Sequence, residues 1–278
     1  MTVPILLFSG CSKTNDDYIQ DLYSDNAQER MMAAATLMRR GKDSNTVKKL
    51  IYILDEDDER AKFISVQILG ALADTSAVQP IGMILESGNS VMRAKACWSL
   101  GSIGHESGMP FLLKAIKDPY SDVRYAALIA IGHISDVPIV EHVYPMFRDD
   151  EDSVRVAAIQ ALHYNFKSVK DSGILAADFA LPLNDTSELV RFVAVQALGA
   201  GFPDSTVAAD LLLDALDNES KNVRIEAIIS LGKIRSQKAI PVLKQIYDIT
   251  SVDEEFVITQ AIKETTGEDF PPIEENVE

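Results

Sequence analysis

One pattern of apolar and polar positions repeats along most of the chain. Small and apolar residues recur three, four and seven residues after a mostly basic position that we call the anchor, and this spacing places them on one face of an α-helix. The anchors are Arg30, Lys62, Arg93, Arg124, Arg155, Arg191, Arg224 and Glu255. Their successive separations are 32, 31, 31, 31, 36, 33 and 31 residues, which indicates that one structural module recurs.

Each module is predicted to hold two helices. Eight residues after five of the anchors stand Gly70, Gly101, Gly132, Gly199 and Gly232, near where we expect the first helix to end. A polar turn and a second amphipathic segment follow, and prolines lie early in several of these segments, as the first turn of a helix tolerates. Because neither helix can bury its apolar face alone, successive modules must stack. The pattern therefore predicts an all-α, right-handed α-α superhelix of about eight helix pairs over residues 16–267, with an acidic tail at 268–278.

A family resemblance follows from the best copies of the module. The pattern D-x-x-x-x-V-R-x-x-A-x-x-A-L-G is clearest at Asp118–Gly132 and Asp185–Gly199, and the array ends on TTGEDF at Thr265–Phe270. These motifs resemble the HEAT repeats, particularly the short bacterial HEAT-like repeats that also occur in phycobilisome chromophore lyases. The resemblance implies a helical solenoid but little about function, because such arrays serve many unrelated roles.

Charged residues recur in step with the modules. An aspartate precedes three of the arginines by six residues, where it can cap the first helix, while the arginine can reach an acidic turn of its own or of the adjacent module. A row of acid–base pairs is the alternative, and we favour the structural interpretation. The resemblance implies the same ladder between repeats. Its predicted members are Asp118, Arg124, Asp149, Arg155, Asp185, Arg191 and Arg224.

Composition excludes several functions. The 278 residues carry a formal net charge of −16, which argues against nucleic-acid binding and against anionic membrane surfaces and fits a basic or neutral protein partner. No apolar stretch approaches the ~20 residues of a transmembrane helix. The two cysteines are Cys11 and Cys97, and Cys97 falls in an apolar helix column, so a disulfide framework is not indicated.

No catalytic or metal-binding constellation is found in the sequence. The four histidines, His105, His133, His142 and His163, do not show the spacing of a zinc site. The chain resembles deoxyhypusine hydroxylase, a HEAT-like enzyme that binds iron through several His-Glu pairs, but only His105-Glu106 matches such a pair. We therefore predict no catalytic residue, no metal and no cofactor.

Five residues are candidate partner contacts. Trp98 lies five residues after its anchor, in a column that elsewhere holds Gln67, Gln160, Gln196 and Gln260, so it is either an exposed binding anchor or packed against the next helix. Among apolar neighbours, the second helices carry Lys114, Lys117, Lys244 and Gln245, and the HEAT resemblance implies that this row lines a concave groove. The longer separation between Arg155 and Arg191 places an insertion at residues 165–173, which is either a binding loop or a tolerated extension.

The N-terminus resembles a lipoprotein signal. Phe8–Cys11 (FSGC) matches a bacterial lipobox, which makes Cys11 a lipidation site and residues 1–15 a signal remnant and tether. The preceding MTVPILLF has no Lys or Arg, so either the true start lies upstream or the match is accidental and this segment packs on the first module.

Together these features predict a monomeric, non-catalytic scaffold for an unidentified protein partner, lipid-anchored in a bacterial cell envelope. Two alternatives stay open. One is a bilin-lyase-like enzyme or its accessory subunit, and the other is a cytosolic regulatory adaptor.

Overall fold

The computed structural model describes residues 13–134, 139–165, 175–202 and 205–270. These residues form sixteen α-helices joined by turns and short 3-10 segments, and they contain no β-strand, so the all-α prediction is confirmed. The first described helix begins at Asn15 and the last ends at Thr266, after which Gly267 adopts a left-handed conformation. Cys11 lies outside the described residues, as does nearly all of the predicted insertion.

The chain divides between Phe111 and Leu112 into two compact units. In the first unit, the anchor-bearing first helices are α2, α4 and α6. The helices of this unit are α1 (Asn15–Asp21), α2 (Ala27–Arg40), α3 (Ser44–Ile53), α4 (Glu59–Leu72), α5 (Val78–Ser87) and α6 (Ser90–Ile103). Except for α5, their N-termini are capped by short polar side chains, for example Asp58, whose carboxylate accepts hydrogen bonds from the backbone N–H groups of Arg60 and Ala61.

The division falls within α7 (Met109–Ala115). In the second unit, the first helices are α8, α10, α12, α14 and α16. The helices of this unit are α8 (Ser121–His133), α9 (Val140–Val143), α10 (Asp152–Tyr164), α11 (Ala180–Leu183), α12 (Glu188–Leu198), α13 (Ser205–Asp214), α14 (Lys221–Lys233), α15 (Ala239–Ile246) and α16 (Val252–Thr266).

The predicted apolar face of the first helices forms the core of each unit. The residues three and seven positions after the anchor are buried in every module, from Ala33 and Leu37 in α2 to Ile258 and Ile262 in α16. The residue four positions after the anchor is buried in seven modules, with Thr259 the exception. Burying one apolar stripe per helix is the main stabilising contribution, at roughly 1.5–3 kcal/mol for each large side chain.

The recurring glycine has a different cause from the one the sequence suggested. The prediction that it lies near the end of the first helix is correct: Gly199 directly follows α12, and the other four stand one or two residues before the last residue of their helices, Gly70 in α4, Gly101 in α6, Gly132 in α8 and Gly232 in α14. A Cβ on Gly70 would lie 2.8 Å from the Cα of Ser99 in α6. Successive first helices therefore approach so closely at this position that only glycine fits.

Candidate functional site

The first helices carry a column of apolar residues that the core largely leaves uncovered. It stands one position after the anchor and consists of Met31, Phe63, Ala94, Tyr125, Val156, Phe192, Ile225 and Phe256. Only Val156 is buried, whereas Met31 is 71% exposed and Phe256 66% exposed. Single exposed apolar residues are common on proteins, but an aligned series of them marks a surface that binds something apolar.

In the second unit this column forms a cavity of about 610 Å³ between α12 and α14. We call it the α12–α14 cavity. Its lining combines an apolar floor with a polar rim: Glu188, Leu189, Phe192, Asn222, Ile225 and Glu226. Leu189 is 54% exposed, so the floor is open to solvent.

The first unit has an apolar cavity at equivalent positions. It measures about 530 Å³ and is lined from α2, α4 and α6, by Arg30, Glu59, Arg60, Phe63, Ile64, Asn89, Ser90, Val91 and Met92. Phe63 and Phe192 both stand one position after their anchors, and Val91 and Leu189 both stand two positions before theirs. The repeat thus builds the same kind of apolar recess in each unit.

The rim of the α12–α14 cavity is acidic. Glu188 accepts hydrogen bonds from the Ser220 hydroxyl at 2.6 Å and from the Asn222 amide at 3.1 Å, and these bonds lower the pKa of Glu188. Glu226 is only 8% exposed, and the nearest ammonium is that of Lys233, at 3.4 Å. An apolar floor beside ionised carboxylates suits a partner that presents an apolar side chain next to basic ones.

The predicted arginines form a ladder between modules. Arg124 donates from Nε and Nη2 to both carboxylate oxygens of Asp149, at 2.8 and 2.7 Å, and Arg155 does the same to Asp185, at 2.7 and 2.8 Å. The remaining Nη1 of each arginine donates to a carbonyl of its own turn, that of Asp118 and of Asp149. Each guanidinium therefore joins the turn of its own module to that of the next one.

Two arginines of the ladder bond to a glutamate of the next module and not to a residue six positions before its anchor. Arg191 donates to Glu219 at 2.9 Å, and Arg224 donates to Glu254 at 2.8 Å. In the module that follows Arg191, Asn218 stands where the other modules have the aspartate. Arg191 therefore makes a single-point contact with the carboxylate of Glu219, and its buried Nε has no hydrogen-bond partner among the described residues. Glu254 keeps a lowered pKa because hydrogen bonds from Ser251 and Arg224 outweigh the effect of burial, which acts to raise it.

The aspartates of the ladder do not occupy the helix-cap position itself. Each accepts a hydrogen bond, at 2.9 to 3.0 Å, from the backbone N–H two residues further on. Those N–H groups belong to the cap residues Tyr120, Glu151 and Ser187, whose own side chains make no capping bond. All three aspartates thus shape the turn before the helix, and Asp149 and Asp185 at the same time accept hydrogen bonds from the arginine of the preceding module.

The five candidate partner contacts all reach the surface, Trp98 in the first unit and the other four in the second. Trp98 is 41% exposed on α6. Lys114, Lys117, Lys244 and Gln245 are exposed, and the Lys244 ammonium lies 5.2 Å from the centre of the Phe270 ring. None of them lines either of the two apolar cavities, which belong to the first helices, so their role in binding stays a prediction.

The remaining candidate groups do not assemble into a reactive centre. Cys97 is fully buried in α6. The Nδ1 of His105 lies 2.8 Å from the Ser107 hydroxyl in a turn. Within the described part of the chain, no group of three or more His, Cys, Asp or Glu residues could hold a metal ion.

Comparison with known proteins identifies the family. The family model for HEAT repeats matches residues 80–163 and 178–263, more than half of the chain. This chain is a member of the HEAT repeat family. The crystal structure of Escherichia coli YibA superposes with a TM-score of 0.67 at 21% identity, covering 91% of this chain and 92% of that one. The HEAT-like solenoid fold class is therefore confirmed.

Similarity in sequence extends to proteins from several organisms. YibA of E. coli is 24% identical over 270 residues, covering 92% of both chains. Deoxyhypusine hydroxylase of Schizosaccharomyces pombe is 27% identical over 259 residues, covering 80% of both. Phycocyanin operon protein Z of Pseudanabaena tenuis is 26% identical over 129 residues, which is 43% of this chain and 63% of that protein, less than two thirds of its length. Among the described residues, no helix is long and apolar enough to cross a membrane.

The apolar column was visible in the sequence but was not singled out there. All eight residues one position after the anchor are apolar or aromatic, and this was the available signal. This position lies beside the buried face of the helix. Apolar residues there are therefore expected both if the buried face extends to include them and if they are exposed. The structure shows that two residues of the column are exposed, five are half-buried and one is buried.

Proposed function

We propose that this HEAT-repeat chain is a non-catalytic scaffold that binds a protein partner in the apolar cavities of its first helices. The main supporting observation is that each unit has an open apolar recess at equivalent module positions, lined in one case by Phe63 and Val91 and in the other by Leu189 and Phe192. Recesses that present apolar area beside fixed charges are typical of sites for anchoring side chains of a partner.

The partner is expected to carry basic residues beside its apolar anchor. Glu188 and Glu226 border the apolar floor of the α12–α14 cavity, and the chain as a whole carries a formal charge of −16. Such a surface attracts a cationic segment and repels an acidic one.

Replacing Leu189 by lysine tests this site. The new charge occupies the floor of the cavity and repels a basic partner, so we expect retention of the partner to fall at least about tenfold, as for loss of an interface hot spot. Leu181→Lys is the matched control, because Leu181 is also an exposed leucine of the second unit (43% against 54% exposed) but lies on α11, away from the cavity. The measurement is quantitative affinity capture from the native host, followed by mass spectrometry.

The proposed site is supported only if the two variants differ in how much of the partner they retain. A discrete protein that is retained by the unmodified chain and by Leu181→Lys but lost with Leu189→Lys is the expected result. Equal retention by all three chains, or a captured protein whose binding segment is acidic, would contradict the proposal.

We further propose that Cys11 carries a lipid that anchors the scaffold in a bacterial envelope. The support is the sequence alone: Phe8–Cys11 has the order of a lipobox, and polar residues follow up to Asp17. Intact-mass measurement of the protein from its native host should give a chain that begins at a diacylated Cys11. A native chain with an unmodified Cys11 would instead favour the cytosolic adaptor.

A similarity to phycocyanobilin lyase subunit alpha of Picosynechococcus, 27% identical over 143 residues and covering 45% of this chain, supports a second candidate function, a bilin-lyase-like enzyme or accessory subunit. This candidate requires that the chain bind a linear tetrapyrrole. Mixing the purified chain with a free bilin should then shift the visible absorption bands of the bilin, and an unchanged spectrum would dispose of it.

A further inference from the structure

One step of the repeat departs from the glycine rule. The position eight residues after the anchor is glycine in five modules, but in α10 it is His163. Elsewhere in the second unit a Cβ at this position would press on the next first helix, at 3.2 Å from the Cα of Ala161 for Gly132 and at 2.9 Å from the Cα of Ala261 for Gly232. The step from α10 to α12 instead accommodates a whole imidazole.

A polar cavity of about 370 Å³ opens at this step. We call it the His163 cavity. It is lined from α10, from α12 with the turn that follows it, and by the end of α14: Ile159, Gln160, His163, Tyr164, Val193, Gln196, Gly199, Ala200 and Lys233. The lining contains one ammonium, two carboxamides, a phenol and an imidazole, and none of these residues is an acid. In a chain of charge −16, this is an unusual local composition.

His163 supplies a polar atom that lacks a partner. Its Nδ1 is buried and makes no hydrogen bond with any described residue. Burial, together with the charge of Lys233, lowers the pKa of His163, so the ring is neutral near pH 7 and one ring nitrogen carries a hydrogen. A buried polar atom without a partner is costly and marks this step of the repeat as imperfectly packed.

We propose that the His163 cavity binds a carboxylate group. The Lys233 ammonium provides the charge, and Gln160, Gln196 and His163 line the same recess with side chains that can donate neutral hydrogen bonds. Lys233 is available for this role because its contact with Glu226 is long, at 3.4 Å, and its side chain is 48% exposed. The carboxylate belongs either to a small free acid or to the C-terminus of a peptide. This site is separate from the α12–α14 cavity and does not depend on the proposed scaffold function.

The experiment follows the His163 ring by NMR in the full chain near neutral pH. Acetate is the free-acid probe and acetamide its uncharged match, while N-acetyl-dialanine with a free or an amidated C-terminus represents the peptide. We expect a saturable shift of the His163 signal with acetate, with a Kd of ~1–10 mM, and none with acetamide. A shift with the free peptide acid as well as acetate assigns the site to peptide termini, and a shift with acetate alone assigns it to small acids.

Variants separate binding at this cavity from general charge effects. Lys233→Met should weaken acetate binding at least about tenfold. Lys238→Met is the control, because Lys238 is similarly exposed and also ion-paired, with Asp210, but does not line the cavity; its affinity should be unchanged. Gln196→Leu leaves the Lys233–Glu226 pair intact and should also weaken binding, which keeps the test valid if Lys233→Met is unstable.

Three results would overturn the proposal. The first is the absence of a saturable His163 shift with acetate and with the peptide acid. The second is binding of acetamide or of the amidated peptide as tight as that of the corresponding acid. The third is an equal loss of affinity in Lys233→Met and Lys238→Met, or no loss in both Lys233→Met and Gln196→Leu.

Discussion

Replacing Gly70 by valine should lower the free energy of unfolding by about 3 kcal/mol, the upper end of the cost of overpacking a core. The added Cβ would lie 2.8 Å from the Cα and Cβ of Ser99, and backbone atoms cannot move aside as a flexible side chain can. Separating α4 from α6 would also break the buried hydrogen bond that the Ser99 hydroxyl donates to the Val66 carbonyl at 2.9 Å. Urea denaturation followed by circular dichroism measures the loss.

Ala71→Val is the matched control for this variant. Ala71 is the next residue of α4, it is exposed, and a valine there meets no neighbouring helix. We expect it to lose only the difference in helix propensity, about 0.6 kcal/mol. Helix propensity alone would make Gly70→Val slightly stabilising, because valine is a better helix former than glycine. A loss in Gly70→Val no larger than that in Ala71→Val would therefore contradict the explanation by the close approach of α6.

The buried face of the repeat was predictable because one physical effect dominates it. Residues three and seven positions after each anchor are buried in every module, and all of them from Ala33 to Ile262 are apolar except Ser65. Periodicity therefore located the helices and the core without any knowledge of the contacts between them.

The glycine column was correctly placed near the helix ends, but its cause could not be read from the sequence, because two causes leave the same signature. Glycine suits a left-handed helix end and also suits a close approach of two backbones. Both occur here: Gly104 and Gly267 end helices with positive φ, whereas Gly70 and Gly232 lie within helices against a neighbour. Only the distance to the next helix distinguishes the two causes, and a single sequence does not contain it.

The partners of the ladder were predictable only where the repeat is regular. Asp149 and Asp185 are the acceptors that the six-residue spacing suggests. Where the column holds Asn218 or Ile249, the arginine turns to the next carboxylate in reach, Glu219 or Glu254. Which carboxylate the arginine reaches depends on the relative positions of the turns of two neighbouring modules, and these positions cannot be read from the sequence.

The cavities could not be located from composition, because they arise between helices. The sequence directed attention to polar residues of the second helices, whereas the recesses of the described structure that suit a partner lie on the first helices. His163 stands where five other modules have glycine, and this was the strongest sequence signal that the packing of α10 against α12 is irregular. It coincides with the longest separation between anchors, and both are consistent with a wider passage between α10 and α12.

The charge ladder gives the second large expected effect. Replacing Arg155 by methionine should cost about 3 kcal/mol at neutral pH, because breaking a largely buried ion pair leaves its partner charge without compensation. The side chains of Arg155 and Asp185 are each only 12% exposed and are joined by two hydrogen bonds. Lys221→Met is the control: its pair with Asp253 is equally short, at 2.6 Å, but is 43% and 73% exposed, so we expect a loss of less than about 1 kcal/mol.

The dependence on pH separates loss of the ion pair from loss of packing. Burial acts to raise the pKa of Asp185, but hydrogen bonds from Arg155 and from the Ser187 N–H outweigh it and lower that pKa below its ordinary value of 3.8. A carboxylate with a lowered pKa stabilises the fold above its ordinary pKa, and this stabilisation is lost as the pH falls toward the lowered value. The difference in unfolding free energy between the unmodified chain and Arg155→Met should therefore be constant near neutral pH and shrink below about pH 4. If the difference stays constant into the acid range, the arginine acts through packing of its aliphatic stem, and the ladder is not an electrostatic link between modules.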